Sequence, residues 1–208
     1  MLNIAVLVSG GGTNLQALID AQAAGRIPNG KIACVISSKA DAFALERAKK
    51  AQIPTEILLR KEFRDGAEYD AALIALLRRY QIGLVVLAGF MTIIGESVIR
   101  AYENRIINVH PSLIPSFCGE GFYGLHVHEA ALQRGVKVTG ATVHFVNEVC
   151  DGGPIILQKA VEIRPDDTPE TLQRRVMEQA EWELLPRAAA LFCDGKITVQ
   201  NGIASIAG

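Results

Sequence analysis

Three side chains with complementary chemistry stand in the second half of the chain: Asn108 and His110 in the stretch Arg105-Ile-Ile-Asn-Val-His-Pro-Ser-Leu-Ile-Pro115, and Asp151 at the head of Asp151-Gly-Gly-Pro154. Proline has no ladder donor, so the apolar strand stops at Pro111, and strand alternation puts Asn108 and His110 on one face with Val109 turned into packing. An amide donor beside an imidazole can hold a developing oxyanion and exchange a proton. A carboxylate that reached His110 across the sheet end would fix its tautomer and stabilise the imidazolium. Plainer uses exist for the same residues. An Asn-x-His at a strand end can be hydrogen-bonded scaffolding, and an Asp that opens a turn can cap its own backbone.

Two further stretches could hold ligands. Leu2 to Val8 is an apolar run broken only by Asn3, followed by Ser9-Gly-Gly-Gly-Thr-Asn14 and then by Leu15, Leu18 and Ile19 at helical spacing. Strand, glycine turn, helix is the geometry in which free backbone amides and the helix dipole hold a phosphate. No Lys follows the glycines, the full G-x-G-x-x-G spacing is absent, and the second strand, Lys31 to Ile36, runs into Ser37-Ser38 where a dinucleotide site needs an acidic residue. A phosphomonoester fits better than a dinucleotide, against the alternative of a tight turn that binds nothing. The second stretch is Ala88-Gly-Phe-Met91 with Thr92, Ile93 and Ile94, at the end of the buried strand Leu84 to Leu87. It leaves room for a flat ligand with apolar lining, or else it is a hydrophobic plug. The Gly- and aromatic-rich Ser116 to Gly124 could act as a lid. His126 and His128, two residues apart with no motif supplying a third ligand, do not make a metal site.

The elements that must position these groups alternate in the βα manner. Helical spacing marks Ala42 to Ala51 and Tyr69 to Tyr80, Pro54 introduces a strand Thr55 to Leu59, and Val138 to Val146 with Ile155 to Ile163 reads as a hairpin or a neighbouring pair. Asp167-Thr-Pro-Glu170 opens a long amphipathic helix to Phe192 with Pro186 as the expected kink, and Lys196 to Val199 reads as a last edge strand before a featureless tail. Glu178 and Glu181 are spaced to share a helix face, and solvent is their default unless that helix passes the phosphate loop. The pattern is α/β winding in one domain. A formal net charge of −1 gives no field for nucleic acid or an anionic membrane. The N-terminus lacks a leader pattern and no apolar run is long enough to cross a bilayer, so the expected location is cytoplasmic. Four cysteines without C-x-x-C spacing fit reduced thiols.

Five motifs in order, Ser9-Gly-Gly-Gly-Thr-Asn-Leu-Gln16, Leu87-Ala-Gly-Phe-Met91, Asn108-Val-His-Pro-Ser-Leu-Ile-Pro115, Gly140-Ala-Thr-Val-His-Phe145 and Asp151-Gly-Gly-Pro154, resemble the glycinamide ribonucleotide transformylases nearly end to end. The resemblance implies an open, mostly parallel twisted sheet with helices on both faces. It makes residues 1–208 a single formyltransferase domain, with a phosphate-binding half to about residue 100 and a catalytic and folate-binding half beyond it. It implies formyl transfer from the co-substrate 10-formyltetrahydrofolate to the amine of 5-phosphoribosylglycinamide, with small-molecule partners only, no metal, and a monomer or homodimer. Carried over by position, Asn108, His110 and Asp151 are catalytic, and Gly12, Thr13 and Asn14 hold the phosphate. Glu181 binds the ribose hydroxyls, and Met91, Thr92, Ile93 and Ile94 with Asn108 and Asn147, Glu148, Val149, Cys150 and Asp151 line the folate site. Three departures stand out. Thr92 and Gly66 fall where some members carry Arg, and Cys118 to Gly124 is longer than the usual short connection. Formyltetrahydrofolate deformylase resembles the same core, but tends to have a second histidine where this chain has Pro111.

Overall fold

The apolar runs become strands of one seven-stranded sheet in the computed structural model, which describes residues 1–207. In chain order the elements are β1 (Leu2–Val8), α1 (Thr13–Ala23), β2 (Gly30–Ser37), α2 (Phe43–Lys50), β3 (Thr55–Ile57), α3 (Gly66–Arg79) and β4 (Ile82–Leu87). They continue with α4 (Glu96–Ala101), β5 (Ile106–His110), α5 (Leu125–Arg134), β6 (Val138–Phe145) and β7 (Ile155–Glu162). Strand order is β3-β2-β1-β4-β5-β6-β7. The first five run parallel, and β6 is antiparallel to both of its neighbours. The expected open, mostly parallel sheet is borne out, with β6 and β7 as the hairpin.

Winding proceeds outward from β1 through β2 to β3, then returns to the other side of β1 at β4. In a sheet of this kind the carboxyl ends of the two strands flanking the reversal open a crevice. Those ends carry the glycine turn after β1 and the Ala88 segment after β4. Both faces of β1 are covered, which is why its sequence is apolar almost throughout. Ile4, Val6 and Val8 pack with Leu15 and Leu18 of α1 and Ala44 and Ala48 of α2. Ala5 and Leu7 pack on the opposite face with Tyr69, Leu73 and Leu77 of α3 and Val98 of α4. Fully burying one such Leu or Val contributes about 1.5–3 kcal/mol, so this strand anchors both layers.

The last helix differs from its expectation. It begins as read, with Thr168 accepting from the Thr171 backbone N–H and Pro169 at the first helical position. The ladder then breaks into α6 (Pro169–Val176), a π turn over Met177–Glu181, and α7 (Trp182–Cys193), which contains Pro186. Pro186 cannot donate to the carbonyl four residues earlier and its ring crowds that carbonyl, and the irregularity lies in the turn upstream of it rather than as a kink at the proline. The extra residue also takes Glu178 and Glu181 out of phase. Glu178 stays exposed beside Arg174, and Glu181 turns inward.

Two other boundaries are corrected. The expected last edge strand is β8 (Ile197–Gln200), which pairs only with β9 (Ile203–Ile206) in a separate two-stranded ribbon. The tail read as featureless therefore supplies its partner. Its isoleucines gave no alternation strong enough to announce a strand. Among the described residues no helix is long and apolar enough to cross a membrane.

Candidate active site

The register between β5 and β6 assembles the polar centre. Asn108 lies opposite His144 and His110 opposite Thr142, so four polar side chains share one face at the end of the parallel run. The loop after His110 is held by Thr142, whose Oγ1 donates to the Ser112 carbonyl at 2.7 Å and accepts from the Ile114 N–H at 3.1 Å. The turn after β6 brings in Asp151. Within it Asn147 Oδ1 accepts from the Val149 N–H at 3.0 Å, and Asp151 itself sits at φ 53°, in the left-handed region. A non-glycine residue is uncommon there, though Asp adopts the region more readily than most, and residues held in it by their surroundings gather at functional sites.

Asp151 bridges the two histidines. One carboxylate oxygen is 3.4 Å from His110 Nδ1 and the other 3.6 Å from His144 Nε2, while the Gly119 N–H donates to Oδ2 at 2.9 Å. Burial pushes the Asp151 carboxyl up, but the flanking His144, the Gly119 N–H and the nearby His110 outweigh that and hold it below the ordinary carboxylate value. Asp151 is thus an anion at neutral pH. His110 is 4 % exposed, with Nε2 2.8 Å from the Phe117 carbonyl, so that nitrogen carries the proton and Nδ1 faces the carboxylate. Burial holds His110 below the ordinary histidine value, partly offset by the Phe117 carbonyl and Asp151. The ring is neutral at rest and Asp151 is placed to stabilise its protonated form.

His144 is a site residue that the motif reading quoted without giving it a role. Its Nδ1 bonds to the Phe145 carbonyl at 2.8 Å, which fixes the tautomer and leaves Nε2 to accept from Asn108 Nδ2 at 3.2 Å. The Asn108 amide is thereby oriented with its second N–H uncommitted. Strand alternation placed His144 on the right face, and only the pairing register shows what it touches. His126 and His128 do not converge on a shared ligand position. His126 is exposed beside Glu129, whereas His128 is fully buried, neither of its nitrogens has a protein partner, and burial with the nearby His110 pushes it down to about 4.

The phosphate-loop residues and Glu181 come together from opposite ends of the chain. Gly10 and Gly11 turn their carbonyls onto α2, accepting from the Ala44 N–H at 3.0 Å and from Arg47 Nε at 2.8 Å. The first-turn amides of α1 have no intrahelical acceptor and remain for an anion. Gly12 stands at φ 72°, and a Cβ there would lie 2.6 Å from Ala44 Cβ, so this glycine is needed both for its dihedral and for close packing on α2. Asn14 Nδ2 donates to Glu181 Oε2 at 2.6 Å, and Thr13 Oγ1 lies 3.7 Å from Met177 Sδ. The π turn carries both partners. Glu181 is 6 % exposed, and burial pushes its carboxyl up to about 7 despite the Asn14 bond.

This raised value has a consequence for stability. The folded state favours the protonated acid, so the contribution is complete below the ordinary value of 4.5 and is lost as pH rises through about 7. Glu181→Gln keeps an acceptor for Asn14 and removes the titration. The thermal midpoint of the unliganded parent should therefore fall relative to the variant between those pH values, by the equivalent of up to about 3 kcal/mol. Parallel melting curves for the two proteins from pH 4 to 8 would exclude it.

Beside the polar centre lies an apolar margin. Met91, Ile93 and Val149 are 53 %, 90 % and 65 % exposed, Thr92 is half-buried, and Ile94 turns into the core under α3. Glu148, exposed on the turn before Asp151, lies 3.8 Å from Arg100 of α4 and draws the two segments towards each other. Cys150 is exposed on the same turn.

A carboxylate-backed imidazole beside an oriented amide, at the carboxyl end of the parallel sheet, is the arrangement of a group-transfer enzyme. A family model described as formyl transferase matches residues 2–189, and the chain belongs to that family. Within it, the chain is 44% identical over 208 residues to the phosphoribosylglycinamide formyltransferase of Haemophilus influenzae, covering 100% of this chain and 95% of the relative. The crystal structure of glycinamide ribonucleotide transformylase 1 from Symbiobacterium toebii superposes with a TM-score of 0.93 at 43% identity, over 99% of this chain and 94% of that one. A formyltetrahydrofolate deformylase from Pseudomonas syringae shares the fold at a TM-score of 0.88 but is 27% identical, and this chain covers 65% of it. The resemblance drawn from the five motifs is borne out.

Proposed function

We infer that this chain transfers the formyl group of 10-formyltetrahydrofolate to the amine of 5-phosphoribosylglycinamide, a step of purine biosynthesis. The juxtaposition of Asn108, His110 and Asp151 supports this most directly, since it sets an amide donor for a developing oxyanion beside a carboxylate-backed imidazole that can exchange the proton. Gly12, Thr13 and Asn14 hold the phosphate at the start of α1, with Glu181 receiving the ribose hydroxyls. The pterin lies against Met91 to Ile94 and the Asn147 to Asp151 turn.

In this arrangement Asn108 places its free N–H against the oxygen that becomes an oxyanion when the neutral amine attacks the formyl carbon. His110 brings a second donor, the Nε2–H that rests at 2.8 Å from the Phe117 carbonyl in the absence of substrate. Asp151 stabilises the imidazolium and assists removal of the amine proton. The tetrahedral intermediate then collapses as the bond from the formyl carbon to N10 breaks, and the proton taken from the amine passes to N10, so that tetrahydrofolate leaves neutral. A water-excluded donor aimed at the developing charge acts without reorganisation, which is where the rate gain comes from. No covalent enzyme intermediate is needed. The setting is a cytoplasmic single-domain enzyme, monomer or homodimer, acting on small molecules without a metal.

The test is incubation of the purified protein with 10-formyltetrahydrofolate, with and without phosphoribosylglycinamide, following tetrahydrofolate release and formylated product. Release should depend on the acceptor. Equal release without it would make water the nucleophile and the chain a hydrolase.

The segment Cys118 to Gly124 enters the same scheme, because Gly119 donates to Asp151 and Phe117 holds the resting His110. Phe117, Gly119, Gly121 and Gly124 all have positive φ, and the three glycines can leave that conformation for others at little steric cost. Shortening this segment should leave folding intact and slow formyl transfer severalfold, with phosphoribosylglycinamide affinity unchanged. Unaltered single-turnover rates after the deletion would remove the loop from the mechanism.

A further inference from the structure

We propose that Ser9, with Asp70 as a second anchor, is a positioning residue that sets the separation between the two substrates. The proposal rests on the formyl-transfer reading above and adds to it a link between the phosphate loop and the folate segment. Ser9 is the first residue after β1, on one side of the crevice at the strand-order reversal, and Met91 lies on the other side, beyond β4. Ser9 is 3 % exposed, and its Oγ accepts from the Met91 N–H at 2.8 Å. The same hydroxyl lies 2.6 Å from Ser38 Oγ, just beyond β2. One side chain thus joins the segments that follow three adjacent strands, β2, β1 and β4.

The far end of Met91 to Ile94 is fixed as firmly. Asp70 of α3, 5 % exposed, accepts from the Gly95 N–H at 3.2 Å and from Ser97 Oγ at 2.7 Å at the start of α4. The approach is close enough that a Cβ on residue 95 would lie 1.9 Å from Asp70 Oδ2. Ile94 is buried next to this anchor while Met91 and Ile93 stay exposed between the two. The folate segment is therefore a short span held at both ends. Its Ser9 end is shared with the loop that holds the phosphate of the other substrate.

A displacement of about 1 Å between reacting groups can cost on the order of a hundredfold in rate. Untying Ser9 should therefore affect reaction between the bound substrates more than binding of either one. In Ser9→Ala we expect the affinity for each ligand alone, measured by calorimetry with phosphoribosylglycinamide and with tetrahydrofolate, to stay within about threefold, and single-turnover transfer to fall about tenfold or more. Ser38→Ala, which leaves the Met91 bond intact, should cost at most about threefold. Asp70→Asn, which weakens only the far anchor, should raise KM for the folate and leave KM for phosphoribosylglycinamide in place.

The parent assay separates the two levels. If the parent does not transfer formyl at all, the functional reading falls and the role of Ser9 with it. If the parent transfers and folded Ser9→Ala does so at the parent rate, the positioning role alone is overturned. That role is equally overturned if Ser9→Ala and Ser38→Ala slow the reaction to the same extent, or if Asp70→Asn shifts both KM values alike. Should Ser9→Ala not fold, Ser9→Cys keeps the volume with a weaker acceptor, and a parent-like transfer rate in that variant also overturns the proposal.

Discussion

Asp151→Asn should lower single-turnover formyl transfer about a hundredfold or more and leave the protein folded. Asn tolerates the left-handed backbone that Asp151 adopts at φ 53°, and its amide oxygen can still accept the Gly119 N–H. The turn keeps its shape. What disappears is the negative charge 3.4 Å from His110 Nδ1. Burial already holds His110 low, and Asp151 is one of the groups raising it, so the limb of the pH–rate profile that reports this ring should move to lower pH in the variant. Phosphoribosylglycinamide should still bind, because its proposed anchor is the Gly12 loop. Transfer kinetics, ligand affinity and thermal stability belong in one experiment. A stable variant that transfers formyl at close to the parent rate would leave Asp151 with only its turn.

Asn108→Ala should cost on the order of 10²- to 10³-fold in turnover, about 3 kcal/mol of barrier, the usual loss for one oxyanion donor in a dry site. The amide is aimed by His144, whose tautomer is fixed by the Phe145 carbonyl, so the donor is pre-oriented before substrate arrives. KM should move far less than kcat, the pattern of an interaction made only in the transition state. Asn108→Asp separates donation from shape, since it keeps the outline and loses the N–H, and it should be at least as slow as the alanine variant. If Asn108→Ala stayed within tenfold of the parent, the amide would be scaffolding for β6.

Much of this site is legible in the sequence for physical reasons. Alternation in a strand has period two, so Asn108 and His110 had to share a face, and the proline after them had to end the strand at the crevice. The glycine turn after a both-faces-apolar strand was equally legible as the strand-to-helix turn that it is, its anion-binding role being part of the proposed function. Glu181 was different. Regular 3.6-residue spacing puts it beside Glu178 in solvent, and only the resemblance of the whole chain to a family pointed inward; the physical cause, a π turn, leaves no mark in helical periodicity. His144 was missed as a partner because β5 and β6 are joined by no tight hairpin turn: residues 111–137, with α5 among them, lie between the two strands, so nothing local in the sequence sets their register. The β8–β9 ribbon had too few residues for a pattern to rise above its surroundings.

The π turn at Met177–Glu181 carries one more implication. It is one residue too many for a regular helix, and removing that residue would restore the i→i−4 ladder as far as the gap left by Pro186 and give a sounder helix. It would also swing Glu181 about 100° away from Asn14 and part Met177 from Thr13. Selection for helix stability alone and selection for the anion loop's partners therefore pull this stretch towards different lengths, and a library of single-residue deletions here should give its most heat-resistant members among those least able to hold the phosphate-bearing substrate.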